Sequence, residues 1–338
     1  MMQHSRKLLT PATLSSFMIG ESRAVCDLRE IIVRLAPSRV SVLIEGPTGA
    51  GKELVATALH ELSPRSGHLV PVDVGAISDS MFEDAFFGHE TGAFTGASAR
   101  TEGHLDRAHN GTLFLDEIGR LTPLFQNKLL RATGARSYHR IGSPEMRYSE
   151  YRLVCATNRD VWALVESEQF AEDLYYRLSG VRVIVPALAN RREDIPLIAQ
   201  AYLSKIADQF ERPLFIAPSA VDVLVAHSWH GNVRELEHVL EAAAALACGG
   251  SIDVDQVAAV LERNGTAKRM SSPTAAAYGS RAGLIEMLER AGWNVAAVAH
   301  ELHRDPSTIF KRMKVLGIRP GLRNGQASLR VDATPPPP

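Results

Sequence analysis

Apolar residues recur at helical spacing across residues 17–34, through Val25, Leu28, Ile31 and Ile32, which predicts an amphipathic helix. A short β-branched run at 40–45 follows, then a glycine-rich string, then a second helical pattern over 53–62, giving the order strand, glycine loop, helix. Further short apolar runs at 69–74, 112–115, 152–156 and 181–185 alternate with helical stretches. Strands alternating with helices predict an α/β fold, a parallel sheet covered on both faces. From 195 to 248 the pattern becomes all-helical, ending in an alanine-rich stretch at 242–247, as expected of a helical lid. Gly249 and Gly250 break it, and a weak helical pattern at 254–261 leads into a stretch of small and polar residues that reads as a linker. Residues 281–317 are helical again, and the proline-rich tail beyond offers too little apolar surface to fold.

Composition narrows this picture. A chain of 338 residues with 45% hydrophobic content can fill one large domain and a smaller second one. The formal net charge of −1 means that any nucleic-acid contact has to come from a local basic patch. Cys26, Cys155 and Cys248 are odd in number and far apart, which excludes a disulfide framework and a zinc site built on paired cysteines. No apolar run reaches the ~20 residues of a membrane span, and the N-terminus lacks a signal-peptide core. The expectation is a soluble, cytoplasmic protein with no membrane contact.

The chemistry begins at Gly46-Pro47-Thr48-Gly49-Ala50-Gly51-Lys52, which satisfies GxxxxGK, the start of a P-loop. Glycines there let backbone N–H groups curl around phosphate oxygens, the following helix aims its dipole at them, and Lys52 adds a mobile cation. The next residue is Glu53, where the general motif has a magnesium-binding hydroxyl. Downstream, Gly111-Thr112-Leu113-Phe114-Leu115-Asp116-Glu117 places two acids at the end of a buried strand, beside the P-loop in a parallel sheet. Asp116 is expected to hold magnesium through water and Glu117 to polarise the attacking water.

Gly88-His89-Glu90-Thr91-Gly92-Ala93-Phe94-Thr95-Gly96-Ala97 resembles the GHExGAFTGA signature of the bacterial sigma-54-dependent transcription activators, an AAA+ ATPase family. The resemblance runs from residue 17 to about 248. It implies an ATP- and Mg²⁺-using motor whose loop Gly92, Ala93, Phe94, Thr95, Gly96 and Ala97 touches sigma-54, with Phe94 and Thr95 at the contact. Glu53 fits the family's GxxGxGKE. Ala156-Thr157-Asn158 looks like the sensor I strand end, with Thr157 and Asn158 facing the γ-phosphate or the attacking water. Trp229-His230-Gly231-Asn232-Val233-Arg234 resembles WPGNVR, whose arginine, here Arg234, is the lid's sensor II contact. The family implies a hexamer acting on the sigma-54 RNA polymerase holoenzyme.

Two departures bear on mechanism. The family's FRxDLxxRL, which supplies two arginines to a neighbouring subunit's ATP, reads Phe170-Ala171-Glu172-Asp173-Leu174-Tyr175-Tyr176-Arg177-Leu178, leaving Arg177 as the trans-acting arginine from this motif. The family's VNCxAL reads Val72-Asp73-Val74-Gly75-Ala76-Ile77, so Asp73 stands where an asparagine usually restrains the catalytic glutamate, and a carboxylate facing Glu117 would repel it. Slow turnover as a homomer, or work beside a related activator carrying both arginines, is therefore expected.

The C-terminal pattern reads as three helices, the last opened by Asp305 as N-cap and Pro306. Its spacing resembles the Fis-type helix-turn-helix of these activators, placing Ser307, Thr308, Lys311 and Arg312 in or near the major groove of double-stranded DNA, with Lys314 adding to the basic surface. A helical oligomerisation hairpin is the competing reading. The expected organisation is an N-terminal extension (1–16), an AAA+ α/β subdomain (17–190), a helical lid (191–248), a linker (249–279), a small all-α helix-turn-helix domain (280–322) and a tail (323–338). With no sensory domain before the motor, control is expected to come from outside the chain, through expression level, an inhibitory protein or a partner activator.

Overall fold

The structure, a computed structural model, describes residues 9–134, 137–247, 249–263 and 281–301, with Pro306, Ile309, Phe310, Met313 and Ile318. After α1 (Leu14–Phe17) and α2 (Arg23–Leu35) come β1 (Val42–Glu45), α3 (Lys52–Glu61), β2 (Leu69–Asp73) and α4 (Phe82–Phe87). The two-residue strands β3 (Gly88–His89) and β4 (Thr101–Glu102) bracket a loop, and α5 (His104–Arg107), β5 (Thr112–Asp116) and α6 (Pro123–Gly134) follow. A hairpin of β6 (Ser137–His139) and β7 (Met146–Tyr148) leads into β8 (Arg152–Thr157), α7 (Val161–Glu166), α8 (Glu172–Leu178) and β9 (Val181–Ile184).

Strands β1, β2, β5, β8 and β9 form one parallel sheet in the order β2-β5-β8-β1-β9. Their side chains alternate between two cores, as strand periodicity requires. Val42, Ile44, Phe114, Val154 and Ala156 face α2 and α3 residues such as Ile32, Val55 and Leu59. Leu43, Leu113, Leu115, Leu153 and Cys155 face Phe82, Phe86, Phe125, Leu129 and Leu174 from α4, α6 and α8. Each fully buried aliphatic or aromatic side chain contributes roughly 1.5–3 kcal/mol, so these two layers fix the sheet and with it the loops at its C-terminal edge. The expected α/β fold is present, and all five expected strands form within one or two residues of their sequence limits.

Arg152 opens β8 with a side chain wholly out of solvent. Its guanidinium donates to the carbonyls of Leu35 (3.0 Å), Ala36 (2.9 Å) and Val40 (3.3 Å), closing the C-terminus of α2. Burial, then the nearby Arg65, pulls its pKa down to about 10, so the cation is held at a cost that the three carbonyls offset. Removing the donor takes from the buried Ala36 its side-chain partner and empties a fully buried site, while Leu35 O keeps the Ser38 N–H at 3.0 Å. Arg152→Met is expected to destabilise this unit by about 2–3 kcal/mol, read from the midpoint of denaturant unfolding.

The lid comprises α9 (Ile195–Ile206), α10 (Pro218–Ala226) and α11 (Asn232–Leu246), but it is not all-helical: β10 (Phe215–Ile216) pairs in parallel with β11 (Ser251–Ile252). Two-residue strands leave no periodicity to detect in the sequence. β11 and most of α12 (Val254–Arg263) belong to the first compact unit, which ends at Val260, rather than to the expected linker. Ile252 and Val257 are fully buried there.

In the second unit α13 (Arg281–Arg290) and α14 (Val295–Glu301) share a core of Leu284, Met287, Leu288, Val298, Ala299, Ile309 and Met313. Asn294 caps α14, accepting from the Ala297 N–H at 3.1 Å. Ser307, Thr308, Lys311, Arg312 and Lys314, and the expected N-cap Asp305, lie outside the described residues. Among the described residues no helix is long and apolar enough to cross a membrane.

Candidate functional site

Parallel strands present their C-terminal ends at one edge, and four of them deliver the expected residues there. β1 runs into the glycine loop, where Gly49 (φ +76°) and Gly51 (φ +107°) adopt left-handed conformations closed to most side chains. Lys52 begins α3 and is only 7% exposed. Its ammonium donates to the loop's own carbonyls, Gly46 O at 3.1 Å and Pro47 O at 3.3 Å. Burial lowers its pKa, while Asp116 and Glu117 oppose that shift and Arg234 adds to it, so these charges share one space. Glu53 is exposed on the next position of α3.

β5 ends in Asp116, whose carboxylate accepts the Glu117 N–H at 2.9 Å. Glu117 sits at φ +60°, a conformation that costs a non-glycine residue about 1 kcal/mol or more. Its Oε2 is buried without a hydrogen bond, although the Arg120 Nε stands 3.5 Å away, an ion-pair distance too long for a good hydrogen bond. β8 ends in Thr157, fully buried, whose carbonyl accepts the Gly46 N–H at 3.2 Å. The Thr157 hydroxyl accepts from the Arg159 N–H at 3.0 Å and packs against Gly119, so it is the exposed Asn158 that reaches the loop, donating to the Thr48 hydroxyl at 2.8 Å.

The lid meets the loop through the start of α11. Asn232 Nδ2 donates to Thr48 O at 3.0 Å, while the Val233 and Arg234 N–H groups point at Gly49 O from 3.0 and 3.4 Å. A Cβ on Gly49 would lie 2.2 Å from Gly231 O, so the loop needs glycine there for close approach as well as for its dihedral angle. The Arg234 side chain itself is exposed.

Between α2, the loop and the lid lies a cavity of about 350 Å³, walled mainly by apolar side chains including Phe17, Met18, Leu28, Val185 and Ile198. Arg191, 6% exposed, also lines it; one Nη donates to Ala50 O at 2.9 Å, and its Nε is buried without a partner. Sequence reasoning missed this wall. Its residues carry no motif, and the only signal was the apolar run of Phe17, Met18 and Ile19 ahead of a helix.

The Gly92–Ala97 loop leaves the α/β body between β3 and β4, closed by the Gly92 N–H on Ala97 O at 2.8 Å. Nothing lies within 4 Å of a Cβ placed on Gly92 or Gly96. Phe94 is 47% exposed, its ring 4.9 Å from that of His89, and Thr95 is exposed. Ala93 packs on Gly142 and Ala97 is buried, so these two anchor the loop rather than stand out from it. The loop is also stitched to the β6–β7 hairpin, with Ile141 N–H on Gly88 O at 2.9 Å and Glu90 N–H on Ile141 O at 3.0 Å. Beneath it the fully buried Arg140 joins Glu90 (2.9 Å) to Asp106 (2.6 Å). Burial works to raise the Asp106 pKa, but hydrogen bonds from Tyr138 and Arg140 outweigh it and hold the carboxyl below its ordinary range.

The two departures resolve differently. Ala171 is half-buried against the core and donates its N–H to Gln126 at 2.7 Å, while the exposed Arg177 donates to Thr133 O at 3.0 Å. Asp73 does not oppose Glu117 unscreened: its Oδ1 accepts the Gly75 N–H at 2.9 Å. Asp73 Oδ1, Arg120 Cδ and Glu117 Cβ lie 3.2, 3.6 and 4.0 Å from the point where a Gly75 Cβ would stand. A cation thus enters the space where two carboxylates were expected to repel, and sequence reasoning did not single out Arg120.

Residues 18–184 match the model of the Sigma-54 interaction domain, and residues 189–274 that of the AAA+ ATPase lid domain. The chain is 46% identical over 250 residues to the transcriptional regulatory protein ZraR of Escherichia coli, covering 73% of this chain and 57% of ZraR. It is 38% identical over 315 residues to the Nif-specific regulatory protein of Azotobacter vinelandii, covering 90% of this chain and 59% of that one. The chain therefore spans less than two thirds of these relatives' length. Among solved structures it resembles NtrX from Brucella abortus in complex with ATP, with TM-score 0.66 and 34% identity, over 89% of this chain and 69% of NtrX. With the P-loop, the paired acids, the lid contact and the GAFTGA loop in one α/β body, the chain belongs to the sigma-54-dependent activator family, as a Sigma-54 interaction domain followed by an AAA+ lid.

Proposed function

We propose that this protein binds ATP, hydrolyses it, and uses the cycle to remodel the closed complex of sigma-54 RNA polymerase into an open one. The observation that carries this is the pairing, in one compact unit, of a phosphate-type loop with Lys52 and a glycine-flanked loop that exposes Phe94 and Thr95. Lys52 would exchange the Gly46 and Pro47 carbonyls for β- and γ-phosphate oxygens, and the backbone amides from Thr48 to Gly51 would cradle the phosphates. The adenine would enter the apolar cavity, where the unpartnered Arg191 Nε supplies a buried donor.

The acids fit a magnesium ion: the half-buried Asp116, whose charge acts on Lys52, would hold the ion through water. When bound, that ion neutralises charge on the phosphate oxygens. Glu117 orients the attacking water and takes its proton as the new O–P bond forms and the bond to the ADP leaving oxygen breaks. Asn158 and Arg234 report the state of the γ-phosphate, and Arg177 reaches a neighbouring subunit's nucleotide in a hexameric ring. The helix-turn-helix reading of the second unit, with Ser307, Thr308, Lys311, Arg312 and Lys314 on upstream DNA, belongs to the same proposal.

The test is open-complex formation at a sigma-54 promoter with purified protein and ATP. Thr95→Ala is expected to keep ATP turnover within about twofold while open complexes fall at least tenfold, because the exposed Thr95 lies on a loop away from the P-loop. Equal loss of both activities would count against a loop that serves the polymerase alone. A second reading, a weakly hydrolysing subunit that needs a related activator, is favoured by Ala171, which leaves no cation at that position.

A further inference from the structure

We propose that Arg120 is a positioning residue that restrains Glu117 on the β2 side of the site, away from the P-loop, so that the resting enzyme is held short of hydrolysis. The inference rests on the ATPase reading above. Glu117 leaves β5, which lies between β2 and β8, whereas the P-loop leaves β1 on the far side of β8. The Arg120 side chain passes beside Gly75 in the turn after β2, and its Nε stands 3.5 Å from Glu117 Oε2. That oxygen is buried and lacks any hydrogen bond, so its stabilisation in this position depends on the guanidinium.

Asp73 cannot perform the same task. Its carboxylate has no donor to offer Glu117, and it is already engaged by the Gly75 N–H. Arg120 instead brings positive charge to Glu117, its Nε 3.5 Å from the Glu117 Oε2. The pair is built to be broken: the Arg120 side chain is 56% exposed against 18% for Glu117, and an ion pair open to water on one side is weak. A pair this weak yields readily when Glu117 turns towards a water in the P-loop site, so the effect of the restraint on turnover is several-fold rather than all-or-none.

The experiment is steady-state ATPase of the full chain, with Glu117→Gln as the blank. Arg120→Gln is expected to raise kcat about three- to fivefold with KM for ATP unchanged. Arg120→Lys, which keeps a cation within reach, is expected to stay near the wild-type rate, whereas a purely structural role for the arginine would not separate Gln from Lys in this direction. Adding Arg120→Gln to Glu117→Gln is expected to change nothing, since the restraint acts only through that carboxylate. A kcat that is unchanged or lowered in Arg120→Gln, while wild type turns over above the blank, overturns the restraint alone. If neither wild type nor Arg120→Gln exceeds the blank, the ATPase reading falls and the restraint falls with it.

Discussion

Glu117→Gln is expected to bind ATP as tightly as the wild type and to hydrolyse it about 10³-fold more slowly. The substitution keeps the size of the side chain and its hydrogen-bonding oxygen but removes the ability to accept a proton from water. Binding should survive, because the groups that would hold the nucleotide are elsewhere: the P-loop amides, Lys52, and the cavity walled by Phe17, Val185 and Ile198. The fold should survive as well, since the left-handed backbone at Glu117 (φ +60°) is no more strained with glutamine than with glutamate. Calorimetric titration with ATP, beside phosphate release at saturating ATP, separates the two effects. Residual turnover above about a tenth of wild type would show that another group accepts the proton. Loss of binding would mean that Glu117 shapes the pocket rather than the chemistry.

The parts of this site that were legible in the sequence are those fixed by local chemistry. The loop from Gly46 to Lys52 could be read because left-handed dihedral angles at Gly49 and Gly51 demand glycine, and Asp116-Glu117 because a buried apolar strand has to end before a charge. The strands β1, β5 and β8 were equally plain, since nearly every position on them is buried and reads as an apolar run. What stayed hidden depends on neighbours distant in the chain. The strands β3, β4, β6 and β7 span two or three residues each, too few for a period-two pattern, yet they carry the stitching of Gly88 and Glu90 to Ile141 that seats the GAFTGA loop. Arg140 reads as an ordinary charged residue until folding buries it between Glu90 and Asp106. Asp73 was read as facing Glu117 alone because the sequence gives no reason to bring Arg120 into the same space; the tight turn at Gly75 does that. Thr157 and Asn158 are adjacent and both polar, and only burial tells them apart: one supports the turn to Arg159, the other reaches Thr48.

Arg177→Ala is expected to lower ATP turnover on the order of 10³-fold, the loss associated with a trans-acting arginine, and to do so without affecting the folding of the subunit. In the isolated chain the Arg177 guanidinium is exposed and bonded to one neutral acceptor, the Thr133 carbonyl at 3.0 Å. It can leave that partner for a phosphate oxygen at small cost, because a charged donor gains more from an anionic acceptor than from a neutral one. Nothing else in this motif can share the task. Ala171 offers only its backbone N–H, already given to Gln126, so the usual pair of arginines is reduced to one and its removal should have no compensation. Mixing distinguishes an arginine acting in trans from one acting at home. A subunit carrying Arg177→Ala still has its own Glu117, and one carrying Glu117→Gln still has its own Arg177. If the arginine serves the neighbour, mixed rings regain turnover that neither variant has alone. If it serves its own nucleotide, every site in the mixture lacks one of the two groups and the mixture stays silent. Restoring the second arginine with Ala171→Arg should then raise wild-type turnover, and failure to do so in a mixture that does complement would mean that Arg177 alone suffices in this chain.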